Sequence, residues 1–269
     1  MEHYLFSTLA YLITIVVIHL VDLFPLAVAL VIIERFLGRV CRSWKARGVR
    51  TDLGYLILSA LYGPLAHYFL ALLLVLFALP ASLVDGWAPP WALWPLTVQV
   101  LLFLLLRDAL IFARHWLFHS RILWPFHAVH HSSPEVNWLS AARFHPAESI
   151  IEAFLDVALG VCLSLDQSAL VVASAIVGFN NFFIHSECLV TYGPLRWVLV
   201  SPVFHRWHHS IEKAALNKNF AAMFSFLDLL CGTFYMPEGR LPAKTGISGP
   251  RQVPETLWGQ LTYPFTRGG

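Results

Sequence analysis

A chain of 269 residues that is 58% hydrophobic and only 13% charged, with a net charge of +2, is far poorer in charge than a soluble domain, where about a quarter of residues are charged. With a mean hydropathy of +0.65 it reads as an integral membrane protein, large enough for one domain or two small ones. So small a net charge gives no footing to a nucleic-acid partner. The four cysteines, Cys41, Cys162, Cys188 and Cys231, form no CxxC pair and read as buried or reduced thiols, neither a disulfide framework nor a thiolate metal site.

In chain order, residues 4–33 are almost wholly apolar, broken by His19 and Asp22, and supply a first span of about 20 residues. The run lacks a basic leader and a small-residue cleavage site, so it is expected to be retained. A basic run follows, Arg35, Arg39, Arg42, Lys45, Arg47 and Arg50, without an intervening acid. Residues 53–79 form a second apolar stretch, and the loop Pro80 to Trp91 carries Asp85 and no basic residue. The basic loop belongs on the cytoplasmic side and the Asp85 loop on the other. A third helix, from about residue 92 to Ser120, then returns to the cytoplasm with Arg107, Asp108, Arg114, His115 and His119 toward its inner end. After a polar stretch, 121–148, come two apolar arms, 149–165 and 168–184, broken at Asp166-Gln167. As a hairpin entering from the cytoplasm, they return His185 to the same face. Residues 201–269 read as cytoplasmic.

The expected fold is therefore an all-α integral membrane protein. It has about four to five transmembrane or membrane-embedded helices beneath a cytoplasmic, histidine-rich helical cap. It is read as a single membrane domain over 1–269, with N-terminal spans over 1–106, a catalytic region over 107–237 and a C-terminal tail over 238–269.

Ten histidines fall within residues 115–209, and apart from His145 nine of them form four groups: His115 and His119 (HWLFH), His127, His130 and His131 (HAVHH), His185, and His205, His208 and His209 (HRWHH). Imidazole inside a membrane chain points to function, and a metal ion is the usual reason. Residues three and four apart share a helix face, so His115 and His119 can meet one ion. In each triplet at least two rings share a face while the third can lean toward a second ion. Nine imidazoles are too many for one tetrahedral site but give two ions four or five each. They suit iron, zinc, copper or nickel. Ligand histidines usually donate their second N–H to a carboxylate or carbonyl, for which Asp108, Glu148, Glu187 and Asp228 are candidates. Lone histidines such as His3, His19 and His67 are more often packed or interfacial than ligands. His145, in RFHPAE, could be a ligand, a group behind the ligands or a helix cap, and is expected to be a group behind the ligands. Arg143, Lys213, Lys218 and Asn219 could meet a headgroup or redox partner, with ordinary solvated charge the competing reading.

HWLFH, HAVHH and HRWHH match the HxxxH, HxxHH, HxxHH pattern of the fatty acid hydroxylase/sterol desaturase superfamily of membrane di-iron enzymes. RFHPAE resembles its HPxE element. HRWHHS, NKNFA and FLDLLCGTFYMP resemble the C-terminal signature of its bacterial-type members. The resemblance covers residues 107 to about 237. It implies two ferrous ions held by His115, His119, His127, His130, His131, His185, His205, His208 and His209, with molecular oxygen as co-substrate. Some relatives place a tenth histidine where this chain has Asn181, so Asn181 and His145 are further candidates. Zinc, which outranks ferrous iron in affinity, can substitute in purified protein.

An unactivated C–H bond offers no charge for acid–base side chains to act on, so the hard chemistry must belong to the metal and oxygen, with the protein supplying orientation and a dry pocket. The expected activity is hydroxylation, or desaturation at the same site, of a sterol-like or fatty-acyl membrane lipid. With no CxxCH haem motif and no nucleotide fingerprint, the electrons need a separate reductase, ferredoxin or cytochrome. A bacterial inner membrane is expected rather than the endoplasmic reticulum, since no KDEL-type signal is visible. The rival reading is a non-enzymatic membrane metal-binding or transport protein. A transporter would set metal-binding residues near mid-membrane along a path. A zinc hydrolase would need an HExxH motif, which is absent.

Overall fold

The computed structural model describes residues 25–38, 46–77, 90–248 and 252–266. Outside them lie the first part of the expected first span with His3, His19 and Asp22, the basic residues Arg39, Arg42 and Lys45 together with Cys41, and the Asp85 loop. Among the described residues the fold is all helical, with two isolated β-bridges and no strand. Helix α1 covers 25–37. The longer helices that follow are α2 (Val49–Phe77), α3 (Leu96–Phe118), α5 (Pro146–Leu163) and α6 (Gln167–His185). The short ones are α4 (Trp124–His131), α7 (Pro202–His208), α8 (Phe226–Leu230) and α9 (Leu257–Thr262).

Among the described residues three helices are long and apolar enough to cross a membrane: Val49–Leu70 within α2, α3 and α6. Helix α3 starts after Pro95 and runs to Phe118, with His119 as its C-cap. The arms read as 149–165 and 168–184 are α5 and α6. Ser164 closes α5 in the left-handed conformation (φ 47°). Asp166 opens α6 by accepting the Ser168 N–H at 2.7 Å, a cap worth about 1 kcal/mol. The hairpin tip sits beside the start of α3, where Trp91 Nε1 donates to Leu163 O (2.7 Å) and Asp166 N donates to Gln99 Oε1 (2.9 Å). The 18 residues of α5 rise about 27 Å, close to the roughly 30 Å hydrocarbon thickness.

α5 differs from an ordinary span because Glu148, Glu152 and Asp156 recur every fourth residue and share one face. They meet Arg107 and Arg114 of α3: Arg107 pairs with Glu152 (2.7 Å) and Asp156 (2.8 Å), and Arg114 with Glu148 (2.6 Å) and Glu152 (3.1 Å). Unpaired, such charges would be expensive between apolar helices. As a ladder they fix the register of α5 against α3.

The segment after α6 forms the cap. α7 has only seven residues, too short to persist alone. It is held by the Ser201 cap on Phe204 N (3.2 Å) and by Phe204 and Trp207, both fully buried. The C-terminal residues fold back: Gln260 Nε2 donates to Ser132 Oγ (3.1 Å) and Thr51 Oγ1 donates to Glu255 O. Arg143 is buried rather than available to a partner. Its guanidinium bonds Asp52 Oδ1 (2.7 Å), Ser132 Oγ (3.2 Å) and Gly48 O (3.2 Å). Asn219, also fully buried, bridges Phe204 O and Tyr235 O through its amide. Neither meets a headgroup or redox partner, because both are used up as internal cross-links, whereas Lys213 is exposed.

Candidate metal centre

All nine box histidines converge at the C-terminal ends of α3, α4, α6 and α7. They separate into two groups whose ring nitrogens lie within 4.8 Å of one another: His115, His119, His127, His131 and His208 in one, His130, His185, His205 and His209 in the other. Helical spacing explains the partition. The i, i+4 pairs His115/His119, His127/His131 and His205/His209 each serve one group. The remaining member of each triplet, His130 or His208, crosses to the other. Each triplet therefore contributes to both groups and ties them into one unit.

The hydrogen bonds behind the rings settle the tautomers. A carbonyl oxygen only accepts, so the ring nitrogen facing it carries the proton. Nδ1 donates to Phe220 O from His115 (2.7 Å), to Arg143 O from His130 (3.2 Å), to Asn181 O from His185 (2.7 Å) and to Lys218 O from His208 (2.8 Å). His127 Nδ1 faces Glu148 Oε1 (2.9 Å) and His119 Nδ1 faces Asn217 Oδ1 (3.1 Å). Each of these six rings turns a bare Nε2 lone pair inward. Nε2 atoms approach one another at 3.0 Å (His115–His127), 3.2 Å (His130–His185), 2.9 Å (His185–His205) and 3.1 Å (His205–His209). In the His115–His127 and His130–His185 pairs both rings carry their proton on Nδ1, so the facing lone pairs repel, and a shared cation turns the repulsion into binding. Nitrogens about 2.1 Å from one ion and about 90° to 109° apart stand about 3.0–3.4 Å from each other. The Nε2 atoms of His119, His131 and His208 are buried without a hydrogen-bond partner, which a ligated ion would satisfy. The residues fit a two-ion site.

Electrostatics agree. Burial first, and then the neighbouring imidazoles, hold His130, His131, His205, His208 and His209 well below the usual histidine range. His119 is lowered to about 3, by burial and then by His127. Neutral imidazole is the form that binds metal.

Of the four carboxylates considered from the sequence, Glu148 contacts a histidine directly. Asp108 and Asp228 act at one remove. Asp228 accepts Phe220 N and Ala221 N (both 2.8 Å), and Asp108 accepts Ala222 N, Met223 N and Phe224 N (2.6–3.1 Å). Together they shape the loop whose Phe220 carbonyl holds His115. Glu187 engages Glu34 through its backbone N–H (2.8 Å). His145 lies outside both groups. Its Nδ1 caps α5 at Ala147 N (3.2 Å) and its Nε2 faces Leu261 O (3.1 Å), so it is a helix cap that also anchors the C-terminal segment. Asn181 contributes its backbone carbonyl to His185, while its side chain lines a cavity beside the rings. His67 stands apart on α2, bonded to Gly63 O (2.9 Å).

That cavity, about 60 Å³, runs along α3 from Leu104 to His115 and along α6 from Val177 to His185, touching both histidine groups. Its walls include Ile111, Ile184 and Met223 but also Arg107, Arg114, Glu152 and Asn180. Of the α5 acids that pair with these arginines, Glu152 and Asp156 escaped the reading of the sequence, and Glu148 was read only as a partner for a ligand histidine. Their signal was Glu148-x3-Glu152-x3-Asp156, three carboxylates on one face of an apolar helix. The carbonyls behind His115, His130, His185 and His208 have no sequence signal, since every residue carries one.

A family model described as fatty acid hydroxylase matches residues 100–233. The chain is 33% identical over 181 residues to an ornithine lipid hydroxylase, OlsE, of Rhizobium tropici, which covers 65% of this chain and 53% of that protein. It is 29% identical over 160 residues to an alkylglycerol monooxygenase of Xenopus tropicalis (56% of this chain, 32% of that one). With a Delta(7)-sterol 5(6)-desaturase, ERG3A, of Gibberella zeae it shares 27% over 147 residues (54% and 40%). The chain thus spans about half or less of the length of these relatives. No solved structure matches it.

Proposed function

We propose that the chain, whose residues 100–233 match the fatty acid hydroxylase family model, is a membrane-bound, oxygen-dependent lipid oxidoreductase that hydroxylates a C–H bond of a membrane lipid. Two ferrous ions are proposed to occupy the groups of five and four histidines. When bound, they supply the oxygen-activating redox chemistry that no side chain can. The observation that carries the reading is the partition of nine imidazoles into two groups beside one cavity that borders both and is lined by α3 and α6, two helices long and apolar enough to cross a membrane. The chain's own part is to place the lipid carbon in that cavity, to exclude bulk water with Leu104, Ile111, Val177 and Ile184, and to keep the imidazoles neutral and aimed.

The boxes are proposed to face the cytoplasm of a bacterial membrane, where a separate reductase, ferredoxin or cytochrome would supply electrons. Purified without oxygen and with ample iron, the protein should carry iron. A strain making it should contain a lipid heavier by one oxygen atom, labelled from isotopic dioxygen. Zinc alone in that preparation, together with an unchanged lipid profile in a deletion strain, would sink the proposal and favour a metal-binding or transport role.

A second reading, desaturation, is favoured by the match to the sterol desaturase. It predicts loss of two hydrogens from the lipid and no incorporated oxygen.

A further inference from the structure

The histidine unit has a second approach, on the side away from the spans. A cavity of about 150 Å³ is bordered by His119, His131 and His208 together with Trp124, Leu216, Asn217 and the segment Gly246–Ser248. It reaches only the group of five, whereas the cavity along α3 and α6 touches both groups. His119 is half-buried at this mouth, while the other eight histidines are buried. Trp124, also half-buried, packs its indole against three imidazoles of the same group, with ring centroids 5.1 Å from His119, 5.2 Å from His131 and 6.2 Å from His127. The outer wall is pinned by Ile211 N to Lys244 O (3.2 Å) and Gly246 N to His209 O (3.1 Å), so it is a formed part of the cap.

The segments around this mouth carry Arg121, Lys213 and Lys244, all exposed, and Lys218, whose Nζ reaches Gly232 O (2.9 Å). The acids in the adjoining segments are engaged. Glu212 holds Arg240 (3.3 Å) and Ala243 N (3.0 Å), and Glu135 holds Arg47 (3.5 Å). With Glu212 and Glu135 each paired to an arginine, these segments carry a net positive charge. Complementary charge is what orients a docking protein and raises its encounter rate.

We propose that this basic mouth docks a small acidic one-electron carrier protein and that the Trp124 indole carries electrons from it to the group of five histidines. The proposal rests on the oxygenase reading above. Replacing C–H by C–O–H balances as R–H + O2 + 2 e− + 2 H+ giving R–OH + H2O, so two reduced carriers each give up one electron per turnover. Electron tunnelling falls off steeply with distance. A conjugated ring touching three candidate ligands and reaching a solvent-side opening is the short route. The lipid then enters from the membrane side and the reductant from the other, so neither has to leave for the other to bind.

The test uses the full chain in nanodiscs of neutral lipid and a strongly acidic two-iron ferredoxin as the probe. Binding to metal-free chain should weaken about tenfold or more in the triple variant Arg121→Glu/Lys213→Glu/Lys244→Glu, and its salt dependence should flatten. Equal affinity for wild type and variant would overturn the docking surface. So would a variant that loses only its binding to phosphatidylglycerol vesicles, which would mark a lipid-headgroup site instead. With iron loaded and rates taken per bound iron, oxidation of pre-bound reduced ferredoxin, followed at its own absorbance, should slow in Trp124→Leu, with Trp124→Phe between. A Trp124→Leu rate equal to wild type would overturn the conduit. Oxidised lipid formed with every variant behaving as wild type sinks this inference and leaves the enzyme standing. Charge-sensitive docking and Trp124-dependent electron transfer without any lipid product sinks the enzyme reading and leaves this one.

Discussion

Glu148 Oε1 accepts from both His127 Nδ1 (2.9 Å) and Arg114 Nη1 (2.6 Å), so one oxygen couples a candidate ligand to the ion-pair ladder between α3 and α5. Glu148→Gln removes the charge that steadies the His127 tautomer and leaves Arg114 half-paired. Loss of such a partner costs about 10–100-fold in metal affinity or activity, to be measured as bound iron and lipid product per mole of protein. The candidate ligands themselves should be all-or-none: His130→Ala and His208→Ala each take one nitrogen from a different group and should abolish turnover and lower bound metal. His67→Ala, on the far part of α2, should do neither, and a His67→Ala variant that behaved like His130→Ala would refute the placement of the site. At this scale the sequence was most legible, because HxxxH and HxxHH are local patterns whose geometry one helix determines. Asn217, which backs His119, was invisible. It sits 98 residues away with φ 56°, and only the cap brings it there.

Among the elements, the short helices are held by side chains that look unremarkable in a list of residues. Asn219 ties its own segment to two others of the cap, through Phe204 O (3.0 Å), Tyr235 O (2.7 Å) and the Tyr235 N–H (2.7 Å). It does so from a left-handed backbone (φ 62°) that asparagine tolerates better than most residues. Asn219→Ala leaves buried backbone groups unpaired at roughly 1–3 kcal/mol each. The variant should melt earlier and release metal from the groups fed by α7, as read from thermal unfolding and metal content. In α5, Arg107→Met strands Asp156 and one side of Glu152 among apolar helices, and breaking such a pair costs roughly 3–5 kcal/mol. A variant as stable as wild type would show that the ladder is not what holds α5. The expected arms 149–165 and 168–184 closely match the helices, since the Ser164–Asp166 break is written in capping chemistry. The partnership of α5 with α3 was missed because pairing across 34 to 49 residues depends on packing that hydropathy does not encode.

Seen as a whole molecule, the spans, the hairpin and the cap divide along one direction. The Trp91 and Asp166 contacts mark one end of the α3, α5 and α6 bundle, and the histidines mark the other. Cys162 lies one turn from the hairpin tip and Cys231 follows α8 in the cap, and both side chains are exposed. In a Cys41→Ser background, a membrane-impermeant thiol reagent should reach Cys231 from the cytoplasmic face of inverted vesicles and leave Cys162 unmodified from that side. The buried Cys188 should react from neither face until the protein is unfolded. Labelling of Cys231 only in right-side-out vesicles would invert the molecule and place the histidines outside. Lys/Arg-rich loops near the span ends set orientation, whereas the metal centre is built from histidines of the cap. The labelling result therefore tests the orientation assigned from Arg35 to Arg50 separately from the metal centre: an inverted protein could still bind two ions, but a cytoplasmic electron carrier would have no access to Trp124.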